Sequence, residues 1–448
     1  MKMTYLAFFA LFVLFGVTIS NAQTRKIFPY EYKIDDLPNG LRVVTVPTDY
    51  PNLVALYIVV GTGSRNEVEP GKSGYAHFFE HLMFRGSENF PAGQFDAIMQ
   101  KAGASNNAYT SDDRTVYHET FAKEDLDTIM RLEADRFQRL KFTPEQFKTE
   151  AGAVRGEYDK NSASPTFKMY EVLRETAFKK HTYSHTTMGY IKDIQDYPNQ
   201  YDYSLEFYNR FYRPEYTTIV VVGDVKPGEV LAMTKKYFGD WKRGNYKPEI
   251  PTEPAQDAPR TAHVDWASPT SPHVVVAYRA PAFSDVEKDK AALDLLNLIA
   301  FGDNSDLYEK LVLKEQKADF ISPDADNKVD PELFMVFSRV KEEKDLNYVR
   351  DEINKTFQRY TKETIPQKKL DETRSRMRYS FALSMNSSNA IADTLAPFIA
   401  LRRTPEAIDR LFALYDKITP EDIRQTAAKY FVDNNRTVVT LATKKGGN

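Results

Sequence analysis

Short apolar runs rich in β-branched residues occupy positions 41–46, 53–60 and 219–222, and each run predicts a strand. Residues 124–140 follow a different period, with Leu126, Met130, Phe137 and Leu140 returning to one face as a helix requires. A second helix carries its own start signal: Thr143 suits the N-cap, Pro144 the first helical position, and Gln146 completes a capping box. Strands grouped with helices, rather than alternating with them one for one, predict an α+β fold whose antiparallel-rich sheet is covered by helices on one face.

The pattern comes twice. Residues 429–441 echo residues 210–222, each a helix end running into a β-branched strand, at an offset of 219 residues in a chain of 448. Two duplicated domains are therefore expected, although so short an echo also fits a common helix-to-strand turn. Pro248, Pro251, Pro254 and Pro259 predict a semi-extended linker over 248–260, with a new strand beginning near His263. The resulting partition is 23–247, linker 248–260, and 261–448. Residues 1–22 combine one early Lys, a short apolar core and a small-x-small ending at Ser20 and Ala22, and are expected to be a signal peptide. Their apolar core is shorter than the ~20 residues of a membrane span, with an uncleaved anchor as the alternative. The mature chain is thus expected without a membrane span, in the periplasm or secreted.

Composition supports export and narrows the partners. The chain contains no cysteine, which excludes a lipid anchor through Cys and a disulfide framework, and suits an oxidising compartment. Loss of residues 1–22 would move the formal charge from −3 to −4, a balance that offers no basic patch for nucleic acid.

The most informative chemistry lies in His77-Phe78-Phe79-Glu80-His81. On a helix, side chains at i and i+4 stand one above the other, so His77 and His81 can reach one metal ion with Glu80 beside it. This is the inverted order of the commoner His-Glu-x-x-His zinc motif. Two imidazoles need a third protein ligand and an open position for water. Glu150 and Glu157, seven residues apart on the helix that starts at Thr143, share one helical face and are the candidates, although either could equally be a solvated surface acid.

His77-x-x-Glu80-His81, with Glu157 lying 76 positions beyond His81 and Glu150 seven before it, resembles the pitrilysin and mitochondrial-processing-peptidase family of zinc metallopeptidases. Residues 103–110 resemble that family's substrate-binding edge strand, and residues 211–224 the strand that closes its first domain. The resemblance implies two LuxS/processing-peptidase-like domains of which the second is non-catalytic, and one zinc per chain held by His77, His81 and Glu157. It further implies Glu80 as general base and Glu150 as a supporting catalytic acid. Asn107 and Ala108 would contact the substrate residue next to the scissile bond, with an extended peptide added as a strand along 105–110. The pair Asn106-Asn107 also suits a plain turn. A zinc endopeptidase acting on short or unfolded peptides is the function so implied, and a non-catalytic peptide-binding or assembly subunit is the alternative.

One departure from the family pattern bears on partners. Self-sufficient relatives carry an Arg with a Tyr seven residues later in the second half, whereas the equivalent stretch here, 307–320, places Val312 and Asp319, or Leu313 and Phe320, at those positions. No Arg beyond Pro259 has a Tyr at that spacing. The expectation is a heterodimer with a homologous subunit that lacks zinc and supplies the Arg/Tyr pair, or else a homodimer. Of the remaining histidines, His118 is expected to pack on a strand, and His181 and His185 to lie in a surface loop.

Overall fold

Two sheets of one plan dominate the computed structural model, which describes residues 26–444; the expected signal peptide lies outside them. The first sheet contains β1 (Lys33–Asp36), β2 (Arg42–Pro47), β3 (Leu53–Val60), β4 (Ser105–Thr110), β5 (Thr115–Ala122) and β6 (Thr217–Gly223), in the order β1-β2-β6-β3-β5-β4. The second contains β7 (Arg260–Trp266), β8 (His273–Arg279), β9 (Ala318–Asp324), β10 (Leu333–Val340) and β11 (Arg436–Thr443), in the order β7-β11-β8-β10-β9. In each sheet one pair is parallel, β2 with β6 and β7 with β11, and the other pairs are antiparallel. The strands of the sequence echo, β6 and β11, hold the same place in both sheets, so the echo reflects duplication.

The helices that matter for the site are α1 (Tyr75–Leu82), α2 (Leu126–Gln138), α3 (Pro144–Ser162), α4 (Pro165–Ala177) and α5 (Ser388–Arg402). Phe78, Phe79 and Leu82 of α1, Ile129 and Phe137 of α2 and Phe147 of α3 share one buried cluster with Leu56 and Ile58 of β3. The sheet is not covered on one face only, as the grouping of elements predicted. Ala55, Tyr57 and Val59 of β3 point the other way and join a cluster with Ile391 and Leu395 of α5, from the second half. The cause is β3 itself, LVALYIVV, buried along its length after Leu53: a strand apolar on both faces needs cover on both. The arrangement is reciprocal. Met169, Leu173 and Ala177 of α4, from the first half, pack on Val275, Ala277, Val439 and Leu441 of the second sheet.

Polar contacts fix the two halves in register. Arg403, left-handed at φ 55 just beyond α5, sends its guanidinium to the carbonyls of Gly40, Glu215 and Thr217 and to the Thr218 hydroxyl. Between the halves, residues 241–259 run without regular structure. The second sheet then starts at Arg260, earlier than the expected His263, because Arg260 already pairs with Thr437 and its side chain donates to the carbonyls of Thr176 and Ala177. Among the described residues no helix is long and apolar enough to cross a membrane.

Candidate metal centre and active site

The helix that carries the inverted motif is aimed by its first turn. Gly74 sits at φ 82, and a Cβ there would lie 2.2 Å from the Met188 carbonyl oxygen, so only glycine fits. Glu67, wholly buried, accepts from the backbone N–H of Gly74 at 2.5 Å and of Ala76 at 2.7 Å, satisfying donors that a helix start leaves free. Burial pushes the Glu67 carboxyl well above its ordinary range, against the lowering pull of those two N–H groups. From this start Tyr75, Phe78, Phe79 and Leu82 fill the core, and His77, Glu80 and His81 share the half-buried side.

α3 begins as its sequence predicts, with the Thr143 and Gln146 side chains each accepting from the other's backbone N–H. Its buried residues Phe147, Glu150, Ala151 and Val154 face inward, and this face carries both glutamates toward α1. A Glu157 carboxylate oxygen, Oε2, lies 3.6 Å from His77 Nε2 and 3.5 Å from His81 Nε2. Both contacts are longer than an N–H···O hydrogen bond. They match the ~3.3 Å separation of ligand atoms around a tetrahedral zinc with bonds of about 2.0–2.1 Å. Ligand atoms from His77, His81 and Glu157 all lie within 4.8 Å of one another, and this is the one such group among the described residues. The donor set, two imidazoles and a carboxylate, therefore fits zinc in both type and spacing.

Electrostatics separate the two histidines. Burial, with His81 beside it, pulls the His77 pKa down to about 3, which keeps the ring neutral and its lone pair free at physiological pH. At His81 burial also acts to lower the pKa, but the neighbouring carboxylates of Glu150, Glu80 and Glu157 outweigh it and hold the value above the ordinary one. Glu150 Oε2 stands 3.5 Å from His81 Nδ1, while its Oε1 stands 3.4 Å from Arg85 Nε, so this buried glutamate lies beside the His81 ring and outside the group of His77, His81 and Glu157. His77 Nδ1 is buried without a hydrogen-bond partner, and packing alone orients that ring.

Glu80 points past the histidines to the edge of the sheet. Burial raises its carboxyl pKa, and the Thr110 hydroxyl opposes the shift by donating to Oε2 at 2.6 Å. Thr110 closes β4, whose other side is the free edge of the first sheet. Residues 105–110 thus form a paired strand and not a turn. The predicted substrate pair divides between the two faces of that strand. Ala108 lies beside Tyr117, on the α1 side; Asn107 lies beside His118 and Tyr57, on the side of the second half. The Asn107 side chain accepts from the Ala108 N–H at 2.9 Å, which occupies a donor on the strand. Thr110 and Glu67 were not singled out from sequence. Strand alternation sets Thr110 on the same side as Ala108, a signal that could have found it, whereas nothing near Glu67 announces a cap.

His118 packs as predicted, stacked on Tyr57 at 5.0 Å between ring centroids. His181 and His185 differ from the expectation. Both are buried: His181 lies against Asp330 of the second half, and His185 is enclosed by Glu67, Arg174 and Tyr190 of the first. His181 Nε2 meets Asp330 at 2.9 Å, and burial lowers the His185 pKa to about 4.

Residues 42–190 match the family described as Insulinase (Peptidase family M16), and residues 200–377 match Peptidase M16 inactive domain. Among relatives, the "Zinc protease PqqE" of Helicobacter pylori is 30% identical over 439 residues, 95% of this chain and 96% of that protein. The crystal structure of a protease from Helicobacter pylori superposes at TM-score 0.85 with 30% identity, over 92% of this chain and 99% of the other. The periplasmic protease PqqL from Escherichia coli shares the fold, at TM-score 0.74 and 19% identity, and there 93% of this chain matches 48% of a longer one. Likeness at 30% identity along nearly the whole length, with both halves matched in order, decides the assignment: this protein belongs to peptidase family M16.

Proposed function

We propose that the chain is a zinc-dependent endopeptidase for short or unfolded peptides, with Glu80 as general base. The observation that carries this reading is the approach of Glu157 to both imidazoles at the spacing of a tetrahedral zinc. His77, His81 and Glu157 would hold the zinc ion, which would supply Lewis acidity toward a water and a peptide carbonyl. Glu80 takes a proton from the attacking water and returns it to the leaving amine. Thr110 holds the carboxylate in place between them. The extended substrate pairs along β4 at Asn107 and Ala108, and Glu150 keeps the His81 ring turned toward its work. Backbone pairing at a sheet edge reads main chain rather than side chains, and a stably folded protein has no free strand to offer.

The chain acts, in this proposal, as the zinc-bearing member of a two-chain enzyme. The absent Arg/Tyr pair supports that part, as does the fold match to about half of a longer chain. The partner is a homologous subunit without zinc, or failing that a second copy, and the location is periplasmic or extracellular.

The deciding experiment pairs Glu80→Gln with wild type on an unstructured peptide, each alone and mixed with the homologous subunit. Expected are one zinc per chain in both, cleavage only with Glu80 present, and a rise in rate on mixing. Wild-type turnover by Glu80→Gln would end the assignment of the base. Absence of zinc in the intact folded protein favours a non-catalytic peptide-binding subunit instead.

A further inference from the structure

The turn of the β4–β5 hairpin is held by the other half of the molecule. Residues 325–332, between β9 and β10, reach across to it. Lys328 Nζ lies 3.0 Å from Asp112 Oδ2, and the backbone N–H of Val329 donates to Asp113 Oδ2 at 2.9 Å. Asp112 and Asp113 are both 6% exposed, and the Lys328 side chain is 13% exposed, so the ammonium and carboxylate meet largely out of water. Contacts within the first half complete the grip: the Ser64 hydroxyl and Arg174 reach Asp112 Oδ1 at 3.0 and 3.3 Å, and the Tyr183 hydroxyl donates to Asp113 Oδ1 at 2.7 Å.

This turn lies two residues from Thr110, the donor to Glu80. β4 has a strand neighbour on one side only, so its position depends on β5, on α1 packed against it and on whatever fixes the turn. The buried ion pair thus lies at the end of the hairpin that carries Thr110 and the free edge. We propose that the second half positions the active site through this loop, with Lys328 a positioning residue for Glu80 and for the substrate strand. The proposal rests on the peptidase reading given above and explains how a half without metal ligands takes part in the chemistry.

The test compares Lys328→Met and Lys328→Arg with wild type. Met keeps most of the apolar stem, and Asp112 retains Arg174 and Ser64, so the fold should persist. Two readouts are taken on zinc-loaded protein: amide hydrogen exchange across the chain, and kcat and KM on an unstructured peptide. Lys328→Met is expected to speed exchange in residues 105–118 by about tenfold or more, leaving α1, zinc content and the Arg403 contact region unchanged. It is expected to lower kcat/KM by a similar factor, with Lys328→Arg restoring most of both. Wild-type exchange in residues 105–118 overturns the proposal, and so does loosening spread over the whole interface, which would make Lys328 a docking residue only. Should Lys328→Met fail to fold, Lys328→Gln carries the same comparison. If wild type cleaves no peptide, the peptidase reading fails, while the exchange arm still decides whether Lys328 fixes the hairpin.

Discussion

The Thr110 hydroxyl donates to a Glu80 carboxylate oxygen at 2.6 Å, so the residue that ends the edge strand also holds the proposed base. In the proposed reaction this one side chain joins substrate binding to proton transfer. Thr110→Val keeps the shape and removes the donor. A lost hydrogen bond to a charged group costs about 1.5–3 kcal/mol, so kcat should fall by roughly ten- to a hundredfold while KM changes little. Steady-state cleavage of one peptide by the two proteins checks this, and an unchanged kcat would separate Thr110 from catalysis.

Glu150 and Glu157 sit two turns apart on α3 and should answer differently to the same change. Glu157→Gln alters a proposed ligand and should weaken zinc binding by about two orders of magnitude or more. Glu150→Gln removes only the group that orients His81, for which about tenfold is the expected loss. Competition against a chelator of known affinity measures both, and equal losses would contradict the division of roles.

Gly74→Ala should damage the site without touching it. The substitution forces a side chain into a left-handed backbone and against the Met188 carbonyl, at 2.2 Å before any shift. A cost of about 2–4 kcal/mol is expected, to be read as lowered stability in urea. Zinc affinity should fall along with it, since α1 must move to relieve the clash.

Acid should act on the contact between the halves. Asp330 meets Arg65 Nε at 2.5 Å and His181 Nε2 at 2.9 Å. Burial alone would raise its pKa, but the hydrogen bonds from His181 and Arg65 prevail and hold it at about 2. That value lies below the ~3.9 of an unfolded chain, so Asp330 adds about 2 kcal/mol that is present above pH ~4 and lost as pH falls toward 2. Wild type should lose more stability than Asp330→Asn over that interval in urea unfolding at stepped pH; parallel curves would contradict the assignment.

What could be read from the sequence was mostly local. The His77-x-x-Glu80-His81 spacing, the seven-residue step from Glu150 to Glu157 and the capping box at Thr143 all follow from the geometry of a single helix, and the structure has each of them on a helix. Contacts between distant segments left no such mark. The Glu67 cap, the approach of Lys328 to Asp112 and the seat of His181 join residues whose neighbours in sequence say nothing of their partners. His181 and His185 illustrate the cost of a general rule, since loops usually lie at the surface, but this one is closed in by residues distant in sequence, Glu67 and Arg174 at His185 and Asp330 at His181. The double-sided apolar run of β3 did carry the missing information, for a strand with no polar face cannot border water.

The exchange of α4 and α5 between the sheets has a practical consequence for anyone dividing this chain. Cut within 241–259, each fragment would leave behind a helix its partner needs and expose a bare apolar sheet, inviting aggregation. Soluble halves should come only from producing both together, and a separately made first half should be insoluble however complete its histidines and glutamates.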